Sequence, residues 1–133
     1  SEMCIRDRLA GEYSLALFPY FSLASGFLAG KYATRGDLHG VARESMVAAY
    51  LSDAEHEKAA FAVLDQLRQI AGDHGVEVTS VSLAWLLAKG VTAPIASART
   101  VDQLGSLLAA TELTLTHDEV SALDAASDLF TRD

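Results

Sequence analysis

The sequence predicts an α/β fold in which two short parallel strands are covered by helices. First, Leu15–Phe18 and Val91–Ile95 are short, continuously apolar runs, the pattern of strands buried on both faces of a parallel sheet. Second, the stretches between and after them repeat apolar residues at helical spacing. Third, capping signals stand where those helices should begin. The order is strand, helices, strand, helix, helix, the βα alternation of a helix-covered parallel sheet. Two strands do not complete such a sheet, so the chain reads as a piece of something larger.

Along the chain, Ser1-Glu2-Met3-Cys4-Ile5-Arg6-Asp7-Arg8 resembles the in-frame translation of a transposon-end adapter used in sequencing libraries. Residues 1–8 are therefore expected to be a non-native scar, with 9–133 the native part of a truncated gene. The first apolar run ends at Pro19. A long polar connection follows, Tyr20 to Leu51, carrying Gly26, Gly30, Gly36 and Gly40; connections of that length are usually functional or mobile. Ser52 and Glu55 have capping-box spacing and open a helix whose Phe61, Leu64, Leu67 and Ala71 face inward. Glu57, Lys58, Asp65 and Arg68 take its wetter side, and Gly72 and Gly75 end it. A second helix starts near Thr79 and carries Val81, Leu83, Ala84, Trp85, Leu86 and Leu87, apolar almost all round and so buried on more than one side. Lys89-Gly90 stops it. After the Val91–Ile95 run, Thr100 and Gln103 form a capping box for a helix from Thr100 to Ala110. Thr116 and Glu119 do the same for the last helix, which turns Val120, Leu123 and Ala126 inward.

At 133 residues the chain is one domain at most, and half its residues are hydrophobic, a globular composition. A net charge of −8 disfavours nucleic acid and anionic membranes as partners. An anionic cofactor would have to be held locally by a few placed cations and backbone amides. Cys4 is the only cysteine, so there is no disulfide framework and no cysteine-based metal site; a reducing, cytoplasmic location is expected. Arg6 and Arg8 before the apolar run imitate a signal peptide, but Pro19, Ser22, Ser25 and Gly26 interrupt it early. No uninterrupted apolar run approaches the length of a membrane span.

The most informative stretch is Ala93 to Leu104. Ser97 and Arg99 stand just before a helix N-terminus, which offers N–H groups and positive dipole charge to an anion. A guanidinium there, able to grip a phosphate bidentately, makes a phosphate cradle. The same residues also describe an ordinary capped helix with a surface arginine. His39, His56, His74 and His117 read as solvated or capping residues, and no cluster of histidines and carboxylates suggests a metal site.

Pro19-Tyr20-Phe21-Ser22-Leu23-Ala24-Ser25-Gly26 leading into Gly30-Lys31-Tyr32 resembles the segment after the seventh barrel strand of aldo-keto reductases. Val81–Gly90 is similar to that family's helix before its last strand, Ala93–Leu104 to its eighth strand and following helix, and Leu115–Asp124 to its C-terminal helix. The resemblance covers Leu9 to about Ser127, with the motifs in the family's order. It implies the C-terminal portion of a (β/α)8 TIM barrel, and a parent oxidoreductase that reduces aldehydes or ketones to alcohols with NADPH. It also implies that Tyr20 stacks on the nicotinamide, that Leu23 and Ser25 cradle the pyrophosphate with Lys31 adding charge, and that Ser97, Arg99 and Gln103 surround the 2′-phosphate and adenine. Tyr20 also fits a purely structural role, an aromatic capping the core.

There are departures. Phe21-Ser22 replaces the family's Ser-Pro, and Ser106 and Leu107 replace its Glu and Asn toward the adenine, which bears on the choice of NADPH over NADH. The catalytic Asp, Tyr, Lys and His belong to earlier strands and have no match here, so the fragment alone is expected to be inactive. It is also expected to fold poorly without the missing N-terminal barrel half, its strand edges and helix faces being left open. The alternatives are a non-catalytic, nucleotide-sensing regulatory subunit of the same fold and a nonfunctional gene fragment.

Overall fold

The computed structural model describes residues 2–20, 22–40 and 43–131. Ser1 of the expected scar, Phe21 of the loop motif and the side chain of Cys4 lie outside the described set. The α-helices are α1 (Glu2–Glu12), α2 (Glu44–Ala48), α3 (Ala54–His74), α4 (Val78–Ala88), α5 (Val101–Glu112), α6 (His117–Ala126) and α7 (Asp128–Thr131). Short 3-10 turns fill Ala24–Ala29, Arg35–Leu38 and Ala49–Leu51, so the Tyr20–Leu51 connection has structure of its own. Helix α1 presents no apolar face and was not foreshadowed by any sequence pattern.

Among the described residues there is no strand, which overturns the expected α/β fold with parallel strands as part of a TIM barrel. The reason is local. The two expected strands do lie side by side and run the same way: the Leu17 carbonyl accepts the N–H groups of Thr92 (2.8 Å) and Ala93 (3.3 Å), and the Pro19 carbonyl accepts that of Ile95 (2.9 Å). A parallel ladder needs N–H donors from both partners. Pro19 has none, and the Leu17 N–H is spent on the Thr92 hydroxyl at 2.8 Å. The pairing is therefore one-sided and stops short of a ladder. Nor are these runs buried on both faces: Leu15 is 62%, Phe18 54% and Ile95 53% exposed.

The core forms instead between helices. Leu51, Leu64, Leu67, Val47, Val81 and Leu123 are fully buried and belong to one cluster with Phe27 and Leu38. Helix α3 lies at its centre, packed on α4, α6 and the Ala49–Leu51 turn. Leu64, Leu67 and Ala71 face inward as anticipated, Ala60, Val63 and Ile70 join them, and Phe61 is half-buried against Phe27 at a ring separation of 5.7 Å. The helices thus cover much of one another's apolar surface without a sheet. The open apolar surface expected for a fragment is found on the extended runs and on the outer face of α5, where Val101, Leu104 and Leu108 are exposed.

Helix ends follow the rules with displaced partners. Asp53, not Ser52, caps α3: one carboxylate oxygen accepts the N–H groups of Glu55 and His56, both at 2.9 Å. Gly75, at φ +65°, closes its other end, while Gly72 stays inside the helix. The Thr100–Gln103 box does not form; Gln103 Oε1 accepts the N–H of Arg99 at 2.9 Å. The Thr116–Glu119 box forms with both bonds, at 2.8 and 3.2 Å.

Candidate functional site

The loop after Pro19 is where the backbone is least ordinary. Leu23 has φ −111°, and then Ala24 (φ +46°), Ser25 (φ +59°) and Gly26 (φ +101°) are left-handed in succession. Only glycine enters that region freely; a side chain there costs on the order of 1 kcal/mol or more per residue. The Leu23 carbonyl accepts the N–H groups of Gly26 and Leu28, which tightens the turn. The Ser22 hydroxyl donates to the Pro19 carbonyl at 2.6 Å, so this serine ties the loop's entry. Ser25 is 7% exposed, and its Oγ is a buried polar atom with no hydrogen-bond partner among the described residues.

The loop's exit is fixed as firmly. Gly30 has φ +77°, and a Cβ there would lie 2.9 Å from the Val78 side chain, so α4 crosses where only glycine fits. Arg68 of α3 donates to the Tyr32 carbonyl at 2.6 Å and, more weakly, to that of Gly30 at 3.4 Å. Lys31 sits between those two carbonyls, exposed and without an ion pair among the described residues. Tyr20 is 71% exposed at the end of the first extended run.

The second group of expected site residues gathers at the start of α5. Ser97 and Arg99 are exposed and Gln103 is half-buried. The Gln103 side chain holds the Arg99 backbone, and the Arg99 guanidinium has no carboxylate partner among the described residues. The two groups share one support, α4, on which both the Ala24–Ala29 turn and α5 pack. Two buried serines of α4, absent from the sequence reading, make the joints. Ser82 Oγ donates to the Leu28 carbonyl and Ser80 Oγ to the Ser106 carbonyl, each at 2.7 Å. Serines in an otherwise apolar helix were the signal that could have found them.

Surface concavities lie elsewhere, one lined by Lys58, Ala62, Ala125 and Leu129, another by Ala10, Leu17, Leu86 and Val91; neither includes an expected site residue. Carboxylates held below their ordinary range also lie away from the site, at caps and between helices. Asp53 is lowered first by the His56 N–H, and Asp37 first by the Thr34 N–H. These are structural carboxylates rather than poised acids or bases. His39, His56 and His74 pair with Glu44, Asp53 and Glu119. No group of metal-ligating side chains occurs among the described residues, and no helix there is long and apolar enough to cross a membrane.

The sequence profile of the Aldo/keto reductase family matches residues 2–128. The chain is 28% identical over 115 residues to the versiconal hemiacetal acetate reductase of Aspergillus parasiticus, covering 85% of this chain and 32% of that protein. It is 32% identical over 123 residues to the aldo-keto reductase ausK of Aspergillus calidoustus, covering 90% of this chain and 30% of that protein. The chain thus spans about a third of the length of the curated relatives it matches.

Proposed function

The chain belongs to the aldo/keto reductase family, and from that premise we propose that it is the NADP(H)-holding portion of a reductase that converts aldehydes or ketones to alcohols. The observation that carries the reading is Ser25: a buried hydroxyl with no hydrogen-bond partner among the described residues, on a left-handed stretch of backbone. An unmade buried hydrogen bond costs about 1–3 kcal/mol, and strained backbone at such a place is a pointer to function. A bound pyrophosphate oxygen would accept from that hydroxyl. The change of hand between Leu23 and Ala24 is the kind that turns successive N–H groups toward an anion.

The remaining expected residues fit the same polyanion. Leu23 and Ser25 would hold the pyrophosphate with Lys31 adding charge, and Tyr20 would stack on the nicotinamide. Ser97, the Arg99 guanidinium and Gln103 would take the 2′-phosphate and adenine at the start of α5, where helix N–H groups add to the attraction. NADPH supplies the hydride when bound. This chain's part is to bind and orient it, and without the family's Asp, Tyr, Lys and His set it should not protonate a carbonyl oxygen by itself.

Calorimetric titration of the chain with NADPH and NADH tests this. NADPH should bind more tightly, and Arg99→Leu should weaken it about tenfold or more while changing NADH little, the scale of a lost charge-assisted contact. No binding of either nucleotide to the folded chain overturns the reading.

A further inference from the structure

We propose that Ser80 and Ser82 are positioning residues that set the separation between the two halves of the cofactor site, with α4 acting as a two-sided bracket. The inference rests on the cofactor reading above. Residues two apart on a helix point about 200° apart, so Ser80 and Ser82 face opposite sides of α4. Ser82 shares its side with Val78, one helical turn earlier. Together they hold the first half: Val78 fills the space against Gly30, and Ser82 Oγ donates to the Leu28 carbonyl. On the other side Ser80 Oγ donates to the Ser106 carbonyl of α5, whose N-terminus carries the second half.

Packing alone does not explain serine at these positions. Both residues are essentially fully buried, at 0% and 1% exposure. Alanine has the higher helix propensity and buries no polar group. A buried serine commonly bonds back to its own helix, yet here each hydroxyl reaches a different neighbouring element. Apolar contact resists separation of two helices but tolerates some sliding along their axes, whereas a hydrogen bond to one carbonyl selects one register. Ser106 lies about one and a half turns inside α5, close enough that a shift there is carried rigidly to Ser97 and Arg99. The bracket therefore fixes how far the 2′-phosphate grip stands from the pyrophosphate turn.

Half-ligands separate this role from plain stability. Adenosine 2′,5′-bisphosphate and nicotinamide mononucleotide are titrated by NMR into the wild-type chain and into Ser80→Ala and Ser82→Ala. Ser80→Ala and Ser82→Ala should each weaken NADPH about fivefold, since the linked cofactor spans both halves, while each half-ligand, which touches one half alone, binds nearly as in the wild type; fivefold is the worth of one ordinary hydrogen bond. Where an alanine variant does not fold, Ser80→Cys and Ser82→Cys, of nearly the same size with a weaker donor, carry the same test. Val81→Ala, on the same helix but bonded to neither half, should lose stability without this selectivity. Variants that weaken a half-ligand as much as NADPH, or that leave NADPH unchanged, overturn the bracket while the cofactor reading stands. A wild-type chain that binds neither half-ligand nor NADPH removes both.

Discussion

The α3-centred core and the rim made by residues 13–20 and 91–101 are drawn from similarly apolar sequence, and they end in opposite environments. Leu64 and Leu67 of α3 are fully buried, whereas Leu15 and Phe18 of the rim are more than half exposed. In the core, helices satisfy their own backbone and need only turn one face to a neighbour. In the rim, extended backbone needs a partner for its hydrogen bonds and a layer on each face. It has one incomplete partner and no second layer. Hydropathy states how much a segment gains from cover; topology decides whether cover is present.

The comparison breaks most sharply under truncation. Leu64→Ala should lower the unfolding free energy by about 2–5 kcal/mol, the usual cost of emptying a packed site, measured by urea denaturation. An effect under 1 kcal/mol would show the core to be as loose as the rim. Gly30→Ala comes next, at about 2–3 kcal/mol, since it adds overpacking against Val78 to a positive φ.

The interface between α4 and α6 gives a smaller effect. Asp124 accepts the Trp85 indole N–H at 2.8 Å and the Lys89 ammonium at 2.7 Å. Burial pushes its carboxyl up, and those two donors more than offset the push. Asp124→Ala should cost about 1 kcal/mol, because the pair is partly solvated, and should shift the Trp85 emission.

A pH scan sharpens the comparison further. The Glu119 carboxyl is held below its ordinary 4.5 first by the Thr116 N–H and then by the His74 ring. A carboxyl lowered on folding stabilises above its unfolded value, and that contribution is lost as pH falls through the folded one. Glu119→Gln should therefore lower stability at neutral pH, flatten its fall below about pH 4.5, and converge with the wild type in acid. Smallest of all, Phe18→Ala in the rim should change stability by no more than about 0.5 kcal/mol.

Helix α3 is legible from its periodic apolar face, α4 from a nearly continuous apolar run, and α6 because Thr116 and Glu119 close a full box, whereas α1 carries no such pattern. The α3 cap lies one residue beyond Ser52, and Thr100 caps α5 in place but without the box's side-chain bonds. Asp53 takes the role given to Ser52 because a carboxylate oxygen accepts two N–H groups at once, and Gln103 reaches past Thr100 to Arg99. The apolar patterns of the two rim segments predict parallel strands, which do not form because Pro19 and Thr92 deny them a ladder. Of the candidate site, the family motif pointed to the loop and the α5 start. It does not show that the Ser25 hydroxyl is buried with no partner among the described residues, since burial depends on what α4 places over the loop. The serines of α4 went unread because a small polar residue in an apolar helix looks like tolerance until its acceptors are known.

The proline that interrupts the rim also limits how copies of the chain can meet. An exposed apolar segment in extended form is a template on which other molecules can accrete, strand upon strand, toward fibres. Pro19 lacks a donor on the side that faces residues 91–95, where its carbonyl holds the Ile95 N–H. A strand that displaced residues 91–95 would meet a missing donor where the apolar run ends, which makes this residue a gatekeeper against self-assembly on that side.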